Sequence, residues 1–206
     1  NIAIIGAGNM GHQIAMLCAI HGYKTVCTDI NAEILKKAEN FADTYLAGRV
    51  EKERLTQEQA TAARGKISFT PSMEEAVKDA DYVIEAVLEI LDLKRKIFAD
   101  LKKMTPAHAI LATNSSAIIS SKIADATNRP EKVLNVHFFN PALVMKLLDF
   151  VALYGLVLIP MGAVILADHY FMPKLGLLSM LLDAYRNGAC EDLIIVPVFI
   201  GYDQVL

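Results

Sequence analysis

With 206 residues, 54% of them hydrophobic, the chain is long enough for one principal core and a small second lobe. A formal net charge of -3 excludes the global basic field of a protein held on nucleic acid by many phosphate contacts. Three widely spaced cysteines, Cys18, Cys27 and Cys190, exclude a disulfide framework or a cysteine-based zinc cluster, no metal site is read, and a reducing cytoplasm is the compartment that fits.

From Ile2 onward, short apolar runs alternate with longer amphipathic stretches, the pattern of strands joined by helical crossovers into a parallel sheet. No charged region precedes the first apolar run, so no secretion signal is read, and a chain that begins at Asn1 rather than Met points to residues before it. Strands are expected at residues 2–5, 25–28, 67–69, 82–86, 109–113 and 133–138. Six such strands suit a doubly wound, mostly parallel α/β fold. Residues 30–66, rich in Ala, Glu, Lys and Leu, are too many for one crossover helix and predict a helical hairpin projecting from the sheet. Its polar face has Lys36, Lys37, Arg49, Lys52 and Arg54, which either meet a polyanionic ligand or form a solvated helix face. Thr56 with Gln59, and Ser72 with Glu75, have the spacing of capping boxes and mark two helix starts.

Gly6, Gly8 and Gly11, with Asn9 and Met10 between them, form G-x-G-x-x-G directly after the first strand and directly before an apolar-periodic helix. The first glycine permits the tight turn, the second admits a pyrophosphate to the backbone, and the third packs helix on strand, while the helix N-terminus supplies N–H groups and a positive dipole end. Asp29 closes the next strand about 20 residues further on, where a carboxylate accepts both ribose hydroxyls. The same charge opposes a 2′-phosphate, and neither Ile30 nor Asn31 is an arginine, so NAD is favoured over NADP. The fold expected is therefore Rossmann-type. The bland alternative is a tight strand-to-helix turn with Asp29 as a turn residue, and FAD-binding domains share the same fingerprint.

Oxidation of an alcohol by NAD requires a base for the hydroxyl proton, and histidine titrates in a suitable range. His137 is the candidate, at the carboxyl end of the sixth expected strand, with Asp149 twelve residues on as a carboxylate to orient its ring. Taken singly, a histidine at a strand end is more often structural. Its surroundings change that reading. Residues 83–89 (VIEAVLE), 112–116 (ATNSS), 136–141 (VHFFNP) and 144–147 (VMKL), together with the glycine motif, resemble the 3-hydroxyacyl-CoA dehydrogenase family, especially its short bacterial 3-hydroxybutyryl-CoA members. The resemblance spans residues 1 to about 150 almost without gaps, and the VHFFNP segment is its most specific part.

That resemblance implies an NAD-dependent oxidoreductase of fatty acid metabolism that interconverts a 3-hydroxyacyl-CoA and its 3-ketoacyl-CoA, and that acts as a homodimer. It implies that His137 is the acid/base, with Asp149 in place of the family glutamate and one methylene shorter. Ser116 matches the serine that hydrogen-bonds the substrate oxygen near the nicotinamide, and Asn140 the asparagine beside the histidine. Their alternatives are a helix N-cap for Ser116 and a turn residue before Pro141 for Asn140. Glu89 and Lys94 match positions that contact the nicotinamide half of the cofactor, or are exposed residues in the first turns of a helix. Lys52 is the nearest match to a basic contact for CoA.

All but seven of the charged residues lie in the first 150 positions, which divides the chain into a cofactor domain at 1–150 and an apolar C-terminal segment at 151–206. The family's helical substrate and dimerisation domain is longer than this remainder. Pro160, Met161 and Gly162 echo part of that domain but arrive early, and Asn187 has surroundings that do not match the family's active-site asparagine. Residues 150–167 contain no charge, yet Gly155, Pro160 and Gly162 interrupt them, so buried sheet and helix are preferred to a membrane span. A truncated or rearranged C-terminus is the third reading of this segment. Two rival functions follow: a cofactor-binding domain without useful turnover, and a dehydrogenase of a free hydroxy or sugar acid to which CoA does not bind.

Overall fold

The computed structural model describes residues 1–144 and the backbone of residues 148 and 149. The expectations placed on the segment from 151 to 206 lie outside the described residues.

Six short strands form one parallel sheet: β1 (Ile2–Ile5), β2 (Thr25–Thr28), β3 (Ile67–Thr70), β4 (Tyr82–Glu85), β5 (Ile110–Thr113) and β6 (Val133–Asn135). Their spatial order is β3-β2-β1-β4-β5-β6. The strand order thus reverses beside β1, and the carboxyl edge between β1 and β4 is the switch point at which open α/β sheets take their ligands. The registers align that edge: Ile5 pairs with Thr28 on one side and with Glu85 on the other.

Strand β1 is buried on both faces, as a central parallel strand must be. Ile4 packs with Cys27, Ile84 and Ala112 under helix α1 (Gly11–Ile20). Ala3 and Ile5 pack on the opposite face with Val83 and Leu111 under α5 (Leu91–Met104), whose Phe98 and Leu101 are fully buried. Two apolar clusters, one per face, sandwich the sheet between helical layers.

Helices α2 (Ala32–Glu51) and α3 (Gln57–Arg64) form the expected hairpin. Asn31 caps α2 by accepting from the amides of Glu33 and Ile34, and Thr56 with Gln59 makes a reciprocal capping box at α3. The pair does not stand free of the domain. Leu35, Ala38, Ala42 and Leu46 of α2 and Ala60 and Ala63 of α3 share one core with Ile14 and Ala15 of α1. Small alanines on these faces let the helices approach closely. Ser72 caps α4 (Met73–Val77) through the Glu75 amide, as its spacing predicts.

The expected strand at 133–138 is divided. Thr113 is the last residue of β5, and it pairs with Asn135, so the ladder has no further partner to offer. The Val136 amide still donates to the Thr113 carbonyl at 3.0 Å. The chain then leaves the sheet, and β7 (His137–Phe138) pairs antiparallel with β8 (Leu148–Asp149) as a separate ribbon. A short α6 (Ser121–Ala124) precedes β6. No helix among the described residues is long and apolar enough to cross a membrane.

Candidate active site

The three glycines of the first turn differ in what a side chain would meet. Gly6 has φ +98°, and a Cβ there would lie 2.8 Å from the Ala86 carbonyl oxygen. At Gly11 a Cβ would lie 1.7 Å from the Gly6 carbonyl oxygen, so helix α1 seats on the turn only without one. At Gly8 a Cβ would meet nothing within 4 Å. The first and third glycines are thus demanded by the protein itself, whereas the second borders open space. No side chain caps the N-terminus of α1, which leaves its positive end to an anion.

Asp29 stands at the carboxyl end of β2 and holds this turn. Its Oδ2 accepts from the Ala7 amide at 2.9 Å and its Oδ1 from the Asn31 amide at 2.9 Å. Each carboxylate oxygen keeps a second acceptor site for a ribose hydroxyl. Ile30 beside it is fully exposed and offers no charge to a 2′-phosphate. Two residues of α1 that sequence reasoning passed over also brace the loop. His12 Nδ1 lies 2.6 Å from the Gly8 carbonyl oxygen, and the buried Gln13 donates to the Asn9 carbonyl at 2.9 Å. Their signal is the i, i+4 return from a helix start to the preceding loop, which is weak without coordinates. Met10 is the half-buried residue before α1. The open space at Gly8, the uncapped helix and the free acceptor capacity of Asp29 fit NAD.

Beyond β4 the sequence expectation is corrected at Lys94. It is not an exposed residue of the first helical turn: it is 1% exposed. Its ammonium donates to both oxygens of the equally buried Glu85, at 2.8 and 3.0 Å, and lies 3.3 Å from Glu89 Oε2. Thr113 Oγ1 and the Val87 amide also donate to Glu85, each at 2.7 Å. Glu85, at the end of β4, was not singled out from sequence. Glu89 is exposed, and its Oε1 accepts from the Ser115 hydroxyl and from the amides of Ala117 at 3.2 Å and Ile118 at 3.3 Å. Partial burial opposes its ionisation, but the Ser115 hydroxyl and the Lys94 ammonium outweigh that and hold the carboxyl below its ordinary value.

In the loop after β5 the capping role open to Ser116 falls to its neighbour. Ser115, fully buried, accepts from the Ile118 amide at 2.7 Å and does the turn-capping work. Ser116 is exposed and, among the described residues, has no side-chain hydrogen bond. The same loop meets β6 through Asn135, whose amide donates to the Ser115 carbonyl at 3.0 Å.

His137 is half-buried, with its ring 5.1 Å from that of Phe139. Asn114 Oδ1 accepts from the Phe138 amide at 2.8 Å, which ties β7 to the end of β5. The register of the ribbon sets His137 directly opposite Asp149. Asn140 is exposed at a bend before Pro141. Lys52 is exposed at the C-terminus of α2, outside a concavity between α2 and α3 that is lined by Val50, Arg54, Leu55 and Gln59. The structure thus sets Asp29 and the glycines at the ends of β2 and β1, groups Glu89 with the buried Lys94 and with the Ser115–Ser116 loop at the ends of β4 and β5, and sets His137 and Asn140 beyond β6; Lys52 is on the hairpin. No group of acidic, histidine and cysteine residues suited to a metal is present among the described residues.

A parallel sheet whose order reverses beside β1, with an open glycine turn and an aspartate at the end of β2 on its carboxyl edge, defines a dinucleotide-binding α/β domain. Comparison with known proteins narrows this class. The family model of the 3-hydroxyacyl-CoA dehydrogenase NAD-binding domain matches residues 1–154, and the chain belongs to that family. The chain is 40% identical over 152 residues to 3-hydroxyadipyl-CoA dehydrogenase of Escherichia coli K12, covering 73% of this chain and 32% of that protein. It is 37% identical over 150 residues to a probable 3-hydroxybutyryl-CoA dehydrogenase of Bacillus subtilis, covering 73% of this chain and 52% of the relative. The solved structure of 3-hydroxybutyryl-CoA dehydrogenase from Escherichia coli K12 superposes with a TM-score of 0.70 at 38% identity, over 73% of this chain and 32% of that one. The chain thus spans about a third to a half of the length of these two curated relatives.

Proposed function

We propose that the protein is an NAD-dependent dehydrogenase that interconverts a short 3-hydroxyacyl-CoA and the corresponding 3-ketoacyl-CoA. The observation that supports this best is the register that opposes His137 to Asp149 on the ribbon beside the crevice. Directly opposed positions are nearest neighbours across the two strands, and position 149 is an aspartate where the resembled family has the longer glutamate.

In this reading Asp29 and the turn at Gly8 hold the adenosine ribose and the pyrophosphate. Bound NAD supplies the hydride acceptor for the oxidation. His137 takes the proton of the 3-hydroxyl group, and Asp149 orients the imidazole and stabilises its charged form. Ser116, with its hydroxyl free of the turn that Ser115 caps, polarises the substrate oxygen. Asn140 positions the reacting group beside His137. The basic residues at the hairpin tip, Lys52 and Arg54, receive the phosphates of CoA.

The test compares acetoacetyl-CoA with free acetoacetate as oxidants of NADH. Consumption of NADH with the thioester and not with the free acid is the expected result. Equal turnover of the two would replace the thioester reading with a free-acid dehydrogenase, and NADH binding without either turnover would leave a cofactor domain lacking its reaction.

A further inference from the structure

Glu85, Lys94 and Glu89 bring two carboxylates to one ammonium. Glu85 is fully buried, and its two oxygens receive the Lys94 ammonium, the Val87 amide and the Thr113 hydroxyl. Those donors satisfy it inside the fold. Lys94 is equally buried and turns its remaining capacity to Glu89 Oε2 at 3.3 Å. Among the described residues, no second cation lies within ion-pair distance of either carboxylate. The cluster therefore holds one negative charge in excess, and that excess resides on its exposed member, Glu89, whose side chain is 40% exposed. Hydrogen bonds from Ser115, Ala117 and Ile118 disperse this charge without cancelling it, and the same contacts keep the carboxyl ionised at neutral pH.

The position of the charge follows from the topology. Asp29 ends β2 and the glycine turn follows β1, so a dinucleotide seated there has its adenosine half on the β2 side. The other half would lie toward the loops that follow β4 and β5, which are the two loops that Glu89 ties together. The redox ring is the one part of the cofactor whose charge changes in the reaction: it is cationic in NAD+ and neutral in NADH.

We infer that Glu89 sets the preference of this site between the two oxidation states of its cofactor, with the excess negative charge of the Glu85–Lys94–Glu89 cluster favouring NAD+ over NADH. Glu85 and Lys94 are its positioning residues, since they fix the carboxylate at the crevice. This inference rests on the dinucleotide reading of the crevice. A charge that is partly exposed acts through a high effective dielectric, and its influence on a neighbouring cation would be on the order of tenfold in relative affinity.

The experiment measures the Kd of NAD+ and of NADH separately for the wild-type chain, Glu89→Gln and Glu89→Asp. Glu89→Gln keeps an oxygen for Ser115 and the two amides but removes the charge, and it is expected to shift the NAD+/NADH Kd ratio toward NADH by about tenfold. Glu89→Asp keeps the charge and is expected to retain most of the wild-type ratio. A role limited to holding the loop would weaken both ligands equally in Glu89→Gln, and an unchanged ratio overturns the inference. A salt series on the wild-type chain provides a second readout that needs no variant: the preference for NAD+ must narrow as ionic strength rises, and a ratio independent of salt contradicts it. Failure of the wild-type chain to bind either form would instead overturn the dinucleotide reading itself.

Discussion

Gly8 and Gly11 are three residues apart and serve different masters. A methyl group at Gly11 would collide with the Gly6 carbonyl, whereas one at Gly8 would project into open space. Gly8→Ala is therefore expected to unfold within about 0.5 kcal/mol of the wild type, as a surface substitution does, while NADH binding is lost. Gly11→Ala is expected to cost about 1–3 kcal/mol or more through overpacking. Thermal or urea unfolding with a parallel NADH titration separates the two; equal loss of stability in both variants would contradict the assignment of Gly8 to the ligand. The glycine motif and Asp29 were legible in the sequence because their spacing is set by covalent geometry. The bond from Asp29 to the Ala7 amide was not, because it depends on the register between β1 and β2. Lys94 was legible only as a site position. A lysine in the first turn of an amphipathic helix reads as solvated, and the burial that reverses this comes from Glu85, contributed by a neighbouring strand.

Among the elements, Glu89 ties the loop after β4 to the loop after β5. Glu89 has a folded-state pKa below its ordinary value, so its contribution to stability is present above the ordinary carboxylate range and is lost as pH falls through the folded value. The advantage of the wild type over Glu89→Gln in melting temperature is accordingly expected to be full at neutral pH and to shrink below about pH 4.3. An advantage that grows on acidification would contradict the assigned contacts. The helical pair α2 and α3 was legible from its composition and from the capping box at Thr56, but its packing on α1 was not, because alanine faces give no strong periodic signal. The break between β6 and β7 was hidden for a different reason. A continuous apolar run gives no sign of where its neighbour β5 ends, and the end of β5 at Thr113 is what releases His137 from the sheet.

At the scale of the molecule, alternation of apolar runs and helices announced a parallel α/β sheet, but the strand order needed the coordinates. That order sets β4 and β5 on the far side of β1 from Asp29. The ribbon that opposes His137 to Asp149 follows β6. In the function proposed above, this arrangement performs hydride transfer with His137 as its acid/base. The most direct test is NADH oxidation by acetoacetyl-CoA with the wild type and His137→Gln, with NADH affinity measured for both. Loss of a general acid/base costs about 10²–10⁴-fold in rate, so turnover is predicted to fall by that factor in the variant while NADH affinity is unchanged. Turnover that survives in His137→Gln at the wild-type rate would contradict the account.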